Sequence, residues 1–184
     1  MTKQPAITLS ICGSAAGEQS EEVMIRVRIL GAAMVARNIG MLTGAGQGYP
    51  YEAALAYAQK GGNPIGISPA LNFVDHQDNF HYPTAGFSSI IYTGMQISGR
   101  NVVLVRSGDA IICIGGGAGT MHEFTTAFDE GKPIGVLADS GGVSAEFLPL
   151  AKKFYRKPRH SGILIAEHNP EKLLDLLLTQ IQRS

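Results

Sequence analysis

Short apolar runs alternate with helix-length amphipathic segments along almost the whole chain. Seven such runs are "AITLSIC", "GMLTG", "NPIGIS", "SIIYTG", "DAIICIGG", "KPIGVL" and "GILIA". They are apolar on both faces, which is typical of strands in a parallel sheet that helices cover on both sides. The pattern predicts an α/β protein with a three-layer, doubly wound fold and a mainly parallel sheet of about seven strands.

Helical periodicity is clearest in two segments. Residues 20–38 carry apolar side chains at helical spacing, and Ser20 precedes two glutamates as a plausible start. Residues 170–182 follow Asn169, a good N-cap, and begin with proline. The segments "YPYEAALAYAQKGG", "HEFTTAFDEG" and "AEFLPLAKKFY" are predicted as three more helices, and the stretch before "SGDA" is also helical in pattern.

Composition favours one globular domain over residues 1–184, because 45% of residues are hydrophobic and only 16% are charged. Lys plus Arg and Asp plus Glu are equal at 15 each, with no basic run, so no nucleic-acid partner is expected. Cys12 and Cys113 lie inside apolar runs, as buried thiols do in a reducing compartment. Neither a signal-peptide pattern nor a membrane-length apolar run occurs, so we expect a cytoplasmic protein without a membrane partner.

Glycine-rich turns follow three of the predicted strands: "CGSAAG", "TGAGQGYP" and "IGGGAGT". The carboxyl edge of a parallel sheet is where ligands bind, since glycine permits close backbone approach and helix N-termini attract anions. A dinucleotide fingerprint fits poorly, because the first turn reads "GSAAGE" and no acidic residue ends the second strand. A P-loop is excluded by the lack of Gly-Lys-Ser or Gly-Lys-Thr. A mononucleotide or sugar phosphate fits better.

The stretch "GRNVVLVRSGDAIICIGGGAGTMHEF", followed by "EGKPIGVL", resembles the LONELY GUY family and its wider Rossmann-like SLOG superfamily, which includes molybdenum cofactor carriers and lysine decarboxylase-like proteins. The family hallmark is Pro-Gly-Gly-x-Gly-Thr-x-x-Glu, with an arginine upstream. The hallmark positions that match are Gly116, Gly117, Gly119, Thr120 and Glu123, and Arg100 lies at the family's separation from the glutamate. Gly115 replaces the hallmark proline, Asn101 replaces a lysine, and the second turn differs from the family's.

The resemblance implies a nucleoside 5'-monophosphate phosphoribohydrolase, which releases base and ribose 5-phosphate, with Arg100 and Glu123 as catalytic residues. It equally allows a non-catalytic carrier or sensor of a nucleotide or a phosphorylated cofactor. The ligand-binding residues that it implies are Gly13, Ser14, Gly44, Gly46, Asn101, Gly116, Gly117, Ala118, Gly119 and Thr120. No cofactor or metal is expected, and relatives are commonly dimers or tetramers, so a homodimer or homotetramer is predicted.

Two roles are open for Glu123. "TMHE" is a Thr-x-x-Glu capping box, in which Thr120 would be the N-cap and Glu123 would reach back to it. Alternatively, a carboxylate beside the ribose could stabilise the positive charge that develops when the ribosyl bond breaks, or help to deliver water. A capping box that fixes a catalytic carboxylate would combine both roles.

Residues 69–88 form a long aromatic and polar segment, which is predicted as an irregular loop and a candidate for function. Its cluster of Asp75, His76, Asp78 and His81 concentrates metal-ligand types, but the spacing matches no zinc signature. A polar loop that lines a pocket or an interface explains these residues without a metal. The aromatic "YPY" at the second turn could stack on a base or simply pack.

Overall fold

The computed structural model describes residues 7–15, 19–154 and 164–182. Parts of two predicted strands, one predicted turn and one predicted helix lie outside these ranges: Ala6, Ala16, Gly17, Tyr155, Gly162 and Ile163. The strands are β1 (Thr8–Gly13), β2 (Gly40–Thr43), β3 (Ile65–Ser68), β4 (Ser89–Tyr92), β5 (Ala110–Ile114), β6 (Ile134–Leu137) and β7 (Leu164–Glu167). The helices are α1 (Glu21–Ala36), α2 (Tyr49–Gln59), α3 (Phe73–Asp78), α4 (Gln96–Ser107), α5 (Ala118–Asp129), α6 (Phe147–Phe154) and α7 (Pro170–Ile181), with a 3₁₀ turn at Val143–Glu146.

The strands form one parallel sheet in the order β4-β3-β2-β1-β5-β6-β7. The predicted doubly wound fold is therefore confirmed, and each of the seven apolar runs overlaps one strand. Strand order reverses between β1 and β5, so the loops that follow these two strands diverge and leave a crevice at the carboxyl edge of the sheet.

Alternating side chains of the two central strands supply separate cores on the two faces of the sheet. Leu9 and Ile112 belong to the core beneath α1, α2 and α7, whereas Cys12 and Ile111 belong to the core beneath α4, α5 and α6. All four side chains are buried. No helix in the described parts of the chain has the length and apolar character that crossing a membrane requires.

Segment 69–88 was predicted as an irregular loop, but it contains the short helix α3. The Asn72 side chain accepts a hydrogen bond from the Asp75 backbone N–H at 2.9 Å, which caps this helix. The segment then returns along β3, where Ser88 N–H donates to the Pro64 carbonyl at 2.9 Å. It is thus an ordered excursion from the sheet edge rather than a structureless loop.

Candidate functional site

The first and third glycine turns meet between β1 and β5. Ser14 N–H donates to the Ile114 carbonyl at 3.0 Å, and the Ser14 carbonyl accepts from Tyr49 N–H at the start of α2, also at 3.0 Å. A Cβ atom on Gly13 would overlap the Ile114 carbonyl oxygen. The absence of a side chain at Gly13 therefore lets the two strand ends approach each other closely.

Helix α5 begins earlier than the capping box requires. Its N-cap is Gly117, no side chain caps it, and Thr120 is already its third residue. The predicted capping box is therefore wrong, because Glu123 lies one turn into the helix and cannot reach back to an N-cap at Thr120. The first-turn N–H groups receive no side-chain cap and remain available to an anion.

Gly115 and Gly116 explain how the chain enters α5. Both have positive φ, of 60° and 90°, in the left-handed region that glycine tolerates. Gly115 N–H also donates to Ser140 Oγ at 2.9 Å. Proline, which the family hallmark has at this position, could neither adopt this φ nor make this bond, so the departure at Gly115 has a backbone cause.

Arg100 and Glu123 face each other from α4 and α5. Arg100 Nη1 lies 4.0 Å from Glu123 Oε1, and the two residues are only 7% and 5% exposed. Within the described residues, Nε of Arg100 is buried and has no hydrogen-bond partner. Since a buried charge is normally paired and hydrogen-bonded, this guanidinium is prepared for an acceptor that the described residues do not supply.

Burial controls the protonation of Glu123. Removal from water raises the pKa of this carboxyl group to about 7, although Arg100 and a hydrogen bond from the Cys12 thiol oppose the increase. Burial also raises the pKa of Cys12 itself, so the thiol stays protonated near neutral pH. Glu123 is thus a carboxyl group that gains or loses its proton near neutral pH.

Asn101, the residue that replaces the family's lysine, lies against the same carboxylate. With its amide nitrogen turned toward Glu123, it donates to Oε1 and to the Ile97 carbonyl, both at 3.1 Å. In the opposite orientation it donates to the Gly119 carbonyl at 3.3 Å, but its oxygen then faces acceptors. The first orientation is favoured, and it gives Glu123 a neutral donor where a lysine would add a charge.

Most of the predicted site residues line one cleft of about 410 Å³. They are Gly13, Ser14, Arg100, Asn101, Gly116, Gly117, Gly119, Thr120 and Glu123. Gly44 and Gly46 line a smaller recess of about 50 Å³ that shares Arg100 and Glu123 with the cleft. Ala118 lies at the start of α5 but does not line either cavity.

Gly44 provides the space that the Arg100 guanidinium occupies. A Cβ atom at Gly44 would overlap Nη1 and would lie 2.6 Å from Cζ and 2.9 Å from Nη2. We expect Gly44→Ala to displace the guanidinium and to weaken ribose 5-phosphate binding about ten- to hundred-fold by calorimetry. If this loss is transmitted through Arg100, Gly44→Ala has no further effect in an Arg100→Met background; an undiminished loss there would contradict the explanation.

Ala15, Tyr82 and Ile97 also line the cleft, although none of them was predicted as a site residue. Tyr82 comes from segment 69–88, whose aromatic content was the available signal. Tyr49, a candidate for base stacking, is only 3% exposed, and its hydroxyl accepts from Ser20 N–H at 3.0 Å. Its role is therefore packing at the start of α2.

Three of the four potential metal ligands in segment 69–88 form hydrogen bonds with protein atoms: Asp75, His76 and His81. The described residues contain no group of three or more His, Cys, Asp or Glu side chains placed to hold a metal ion. The Asp75 carboxylate accepts from Leu71 N–H at 2.7 Å and from the Asn79 amide at 2.6 Å. These bonds fold the segment on itself.

The sheet order and the crevice between β1 and β5 define a Rossmann-like α/β protein with its site at the topological switch point. The chain matches the SLOG cluster4 family over residues 6–174, and it belongs to that family. A protein of Archaeoglobus fulgidus is 32% identical over 123 residues, which are 66% of this chain and 75% of the relative.

Solved structures share the fold at low identity. The structure of TM1055 has a TM-score of 0.78 and 20% identity, and the alignment covers 94% of this chain and 99% of the other. The molybdenum cofactor binding protein of Rippkaea orientalis has a TM-score of 0.75 at 22% identity, covering 97% and 99%. The molybdenum cofactor carrier protein of Chlamydomonas reinhardtii has a TM-score of 0.76 at 20% identity, covering 98% and 100%. These similarities establish the architecture.

Proposed function

We propose that the protein binds a nucleoside 5'-monophosphate and hydrolyses its N-glycosidic bond, giving free base and ribose 5-phosphate. The observation that carries this proposal is the Arg100–Glu123 pair. An almost fully buried guanidinium, whose Nε has no hydrogen-bond partner among the described residues, lies beside a buried carboxyl group whose pKa is about 7. The guanidinium suits an anionic ligand, and the carboxyl group suits proton transfer at neutral pH.

The phosphate is assigned to Arg100 and the first turn of α5. At 4.0 Å, Glu123 is too distant to accept a hydrogen bond from the nearest guanidinium nitrogen. A phosphate could accept hydrogen bonds from the N–H groups of the Arg100 guanidinium. A planar guanidinium can bind two phosphate oxygens at once. The uncapped N–H groups of α5 add a second set of donors on the same cleft.

The reaction requires one proton shuttle and no metal. As the C1'–N bond breaks, positive charge develops on the ribose, and the Glu123 carboxylate stabilises it. The same carboxylate accepts a proton from water as the water oxygen bonds to C1', and it returns that proton to the departing base. A carboxyl group with a pKa near 7 suits both transfers, because proton gain and loss are nearly balanced at neutral pH.

The second candidate function is a non-catalytic carrier or sensor of a nucleotide or a phosphorylated cofactor. The fold that this chain shares with molybdenum cofactor carriers supports it, as do the altered second glycine turn and Asn101 in place of the family's lysine. Such a protein would use Arg100 and the glycine turns, but it would have no use for a carboxyl group that titrates near neutral pH.

Incubation of the pure protein with a panel of nucleoside monophosphates separates the two functions. We expect chromatography to detect free base from at least one nucleotide. Binding by calorimetry without base release from any nucleotide would overturn hydrolysis and leave the carrier. Absence of both binding and release would overturn both candidates.

The pH profile provides a second prediction. Because the reactive form is the carboxylate and its pKa is raised to about 7, kcat/KM should rise with pH and level off above about pH 7. The ligand phosphate also undergoes its second ionisation near pH 6. The pH dependence of ribose 5-phosphate binding measures that ionisation separately. A profile that follows only the phosphate ionisation would contradict a role for Glu123 in proton transfer.

A further inference from the structure

Tyr82 presents an aromatic ring between the two cavities of the site. The ring atoms nearest to a Cβ built on Gly46 are Cζ, Cε1 and Cε2, at 3.2, 3.5 and 3.5 Å, and the hydroxyl oxygen is not among them. Gly46 therefore lies over a face of the ring rather than at its hydroxyl end. Tyr82 also lines the 410 Å³ cleft, whereas Gly46 does not.

His76 holds the segment that carries this ring. The histidine is fully buried, its Nε2 is 3.1 Å from the Pro83 carbonyl, and its Nδ1 is 2.8 Å from Ser68 Oγ at the end of β3. A carbonyl can only accept, so Nε2 donates to it, and Nδ1 forms the second hydrogen bond with the serine hydroxyl. The bond to Ser68 thus connects segment 69–88 to the sheet, and the bond to Pro83 joins two parts of the segment.

Further contacts fix Tyr82 from its own segment and from the second glycine turn. Its ring packs edge-on against the His76 ring, with centroids 5.7 Å apart and an angle of 82° between the planes. Its N–H donates to the His76 carbonyl at 3.0 Å. The Gln47 amide donates to the His81 carbonyl at 3.0 Å, which joins this segment to the turn that contains Gly46. The ring is therefore held in place before any ligand binds.

We propose that Tyr82 determines specificity by stacking on a flat heteroaromatic ring of the ligand, and that His76 is the positioning residue that holds Tyr82 over the cleft. This inference rests on the proposed function, in that it takes the ligand phosphate to bind at Arg100 in the same cleft. It names the ligand class: a phosphorylated molecule with a planar heterocycle, as in a nucleotide or a pterin phosphate, rather than a bare sugar phosphate. Stacking on an aromatic side chain tolerates different rings, because every base has a π face.

The test compares ligands that share the phosphate and differ in the ring. Calorimetry measures the binding of AMP, GMP, a pterin monophosphate and ribose 5-phosphate to the full chain and its variants. We expect Tyr82→Ala to weaken the tightest-binding ring-bearing ligand about ten- to hundred-fold and to change ribose 5-phosphate binding less than about two-fold. Tyr82→Phe should retain most of the affinity, because stacking requires the ring and not the hydroxyl.

His76→Ala should produce the same ring-selective loss, and the double variant should lose no more than either single variant. Phe87→Ala is the matched control, because Phe87 belongs to the same segment but packs on Tyr51 instead of lining the cleft. Equal losses for ring-bearing ligands and ribose 5-phosphate in Tyr82→Ala would overturn the inference while leaving the proposed function intact. If the wild-type protein binds none of the four ligands, the proposed function and this inference fail together.

Discussion

Glu123→Gln is expected to reduce base release about 10²- to 10⁴-fold while ligand binding persists. Glutamine keeps the shape of the side chain but can neither accept a proton from water nor place a negative charge beside the ribose. The rate is measured by chromatography of free base at saturating nucleotide, and affinity by calorimetry. Equal rates in the wild type and the variant would show that Glu123 is not the catalyst.

The same substitution should stabilise the fold in a pH-dependent manner. The folded-state pKa of Glu123 is about 7 against an ordinary value of 4.5, so the folded protein holds this proton more tightly than the unfolded chain does. Stability that depends on this proton is present below about pH 4.5 and is lost as pH rises to about 7. The free energy of unfolding of Glu123→Gln should therefore match the wild type near pH 4.5 and exceed it by about 3 kcal/mol above pH 7.

A matched control lies on the same helix pair. Glu130 follows the end of α5 and pairs with Arg106 of α4 at 2.7 Å, away from the cleft. Glu130→Gln should leave base release unchanged, because Glu130 does not line the cleft. If urea unfolding gave both variants the same dependence on pH, burial of Glu123 would not be the cause.

Arg100→Met is expected to weaken binding of nucleotide and of ribose 5-phosphate by more than about 100-fold. Methionine fills much of the space of the arginine stem but supplies no donor to the phosphate. The substitution also removes the positive charge that lowers the pKa of Glu123. The rise of kcat/KM of the residual activity should therefore occur at a higher pH than in the wild type. Calorimetry and the pH dependence of kcat/KM measure these two effects separately.

Arg106→Met provides the comparison for this variant. Arg106 lies on α4 as Arg100 does, but its side chain is 67% exposed. A surface ion pair contributes little, so this variant should bind ribose 5-phosphate as the wild type does. Similar losses in both variants would indicate a general effect of removing charge from α4 rather than a phosphate contact at Arg100.

The strands were predictable because a sheet buried on both faces leaves a continuous apolar run in the sequence. The pairing of Arg100 with Glu123 was reached only through the hallmark spacing, since nothing local to either residue indicates that α4 and α5 lie side by side. The start of α5 was misplaced because Thr120 and Glu123 fit a capping box. The structure instead begins the helix at Ala118, with Gly117 as its N-cap, after two glycines with positive φ.

The sequence by itself determined the doubly wound sheet, the three glycine turns at its carboxyl edge and the residue types available there, because periodicity and turn chemistry are local properties of the chain. Only the tertiary structure decided how deeply those residues are buried and which residues they contact. Burial raises the pKa of Glu123, and within the part of the chain that the structure describes Nε of Arg100 has no partner. Long-range packing through His76 brings Tyr82 to the cleft. Solvent exclusion and contacts between distant segments depend on the assembled fold, so no local pattern encodes them.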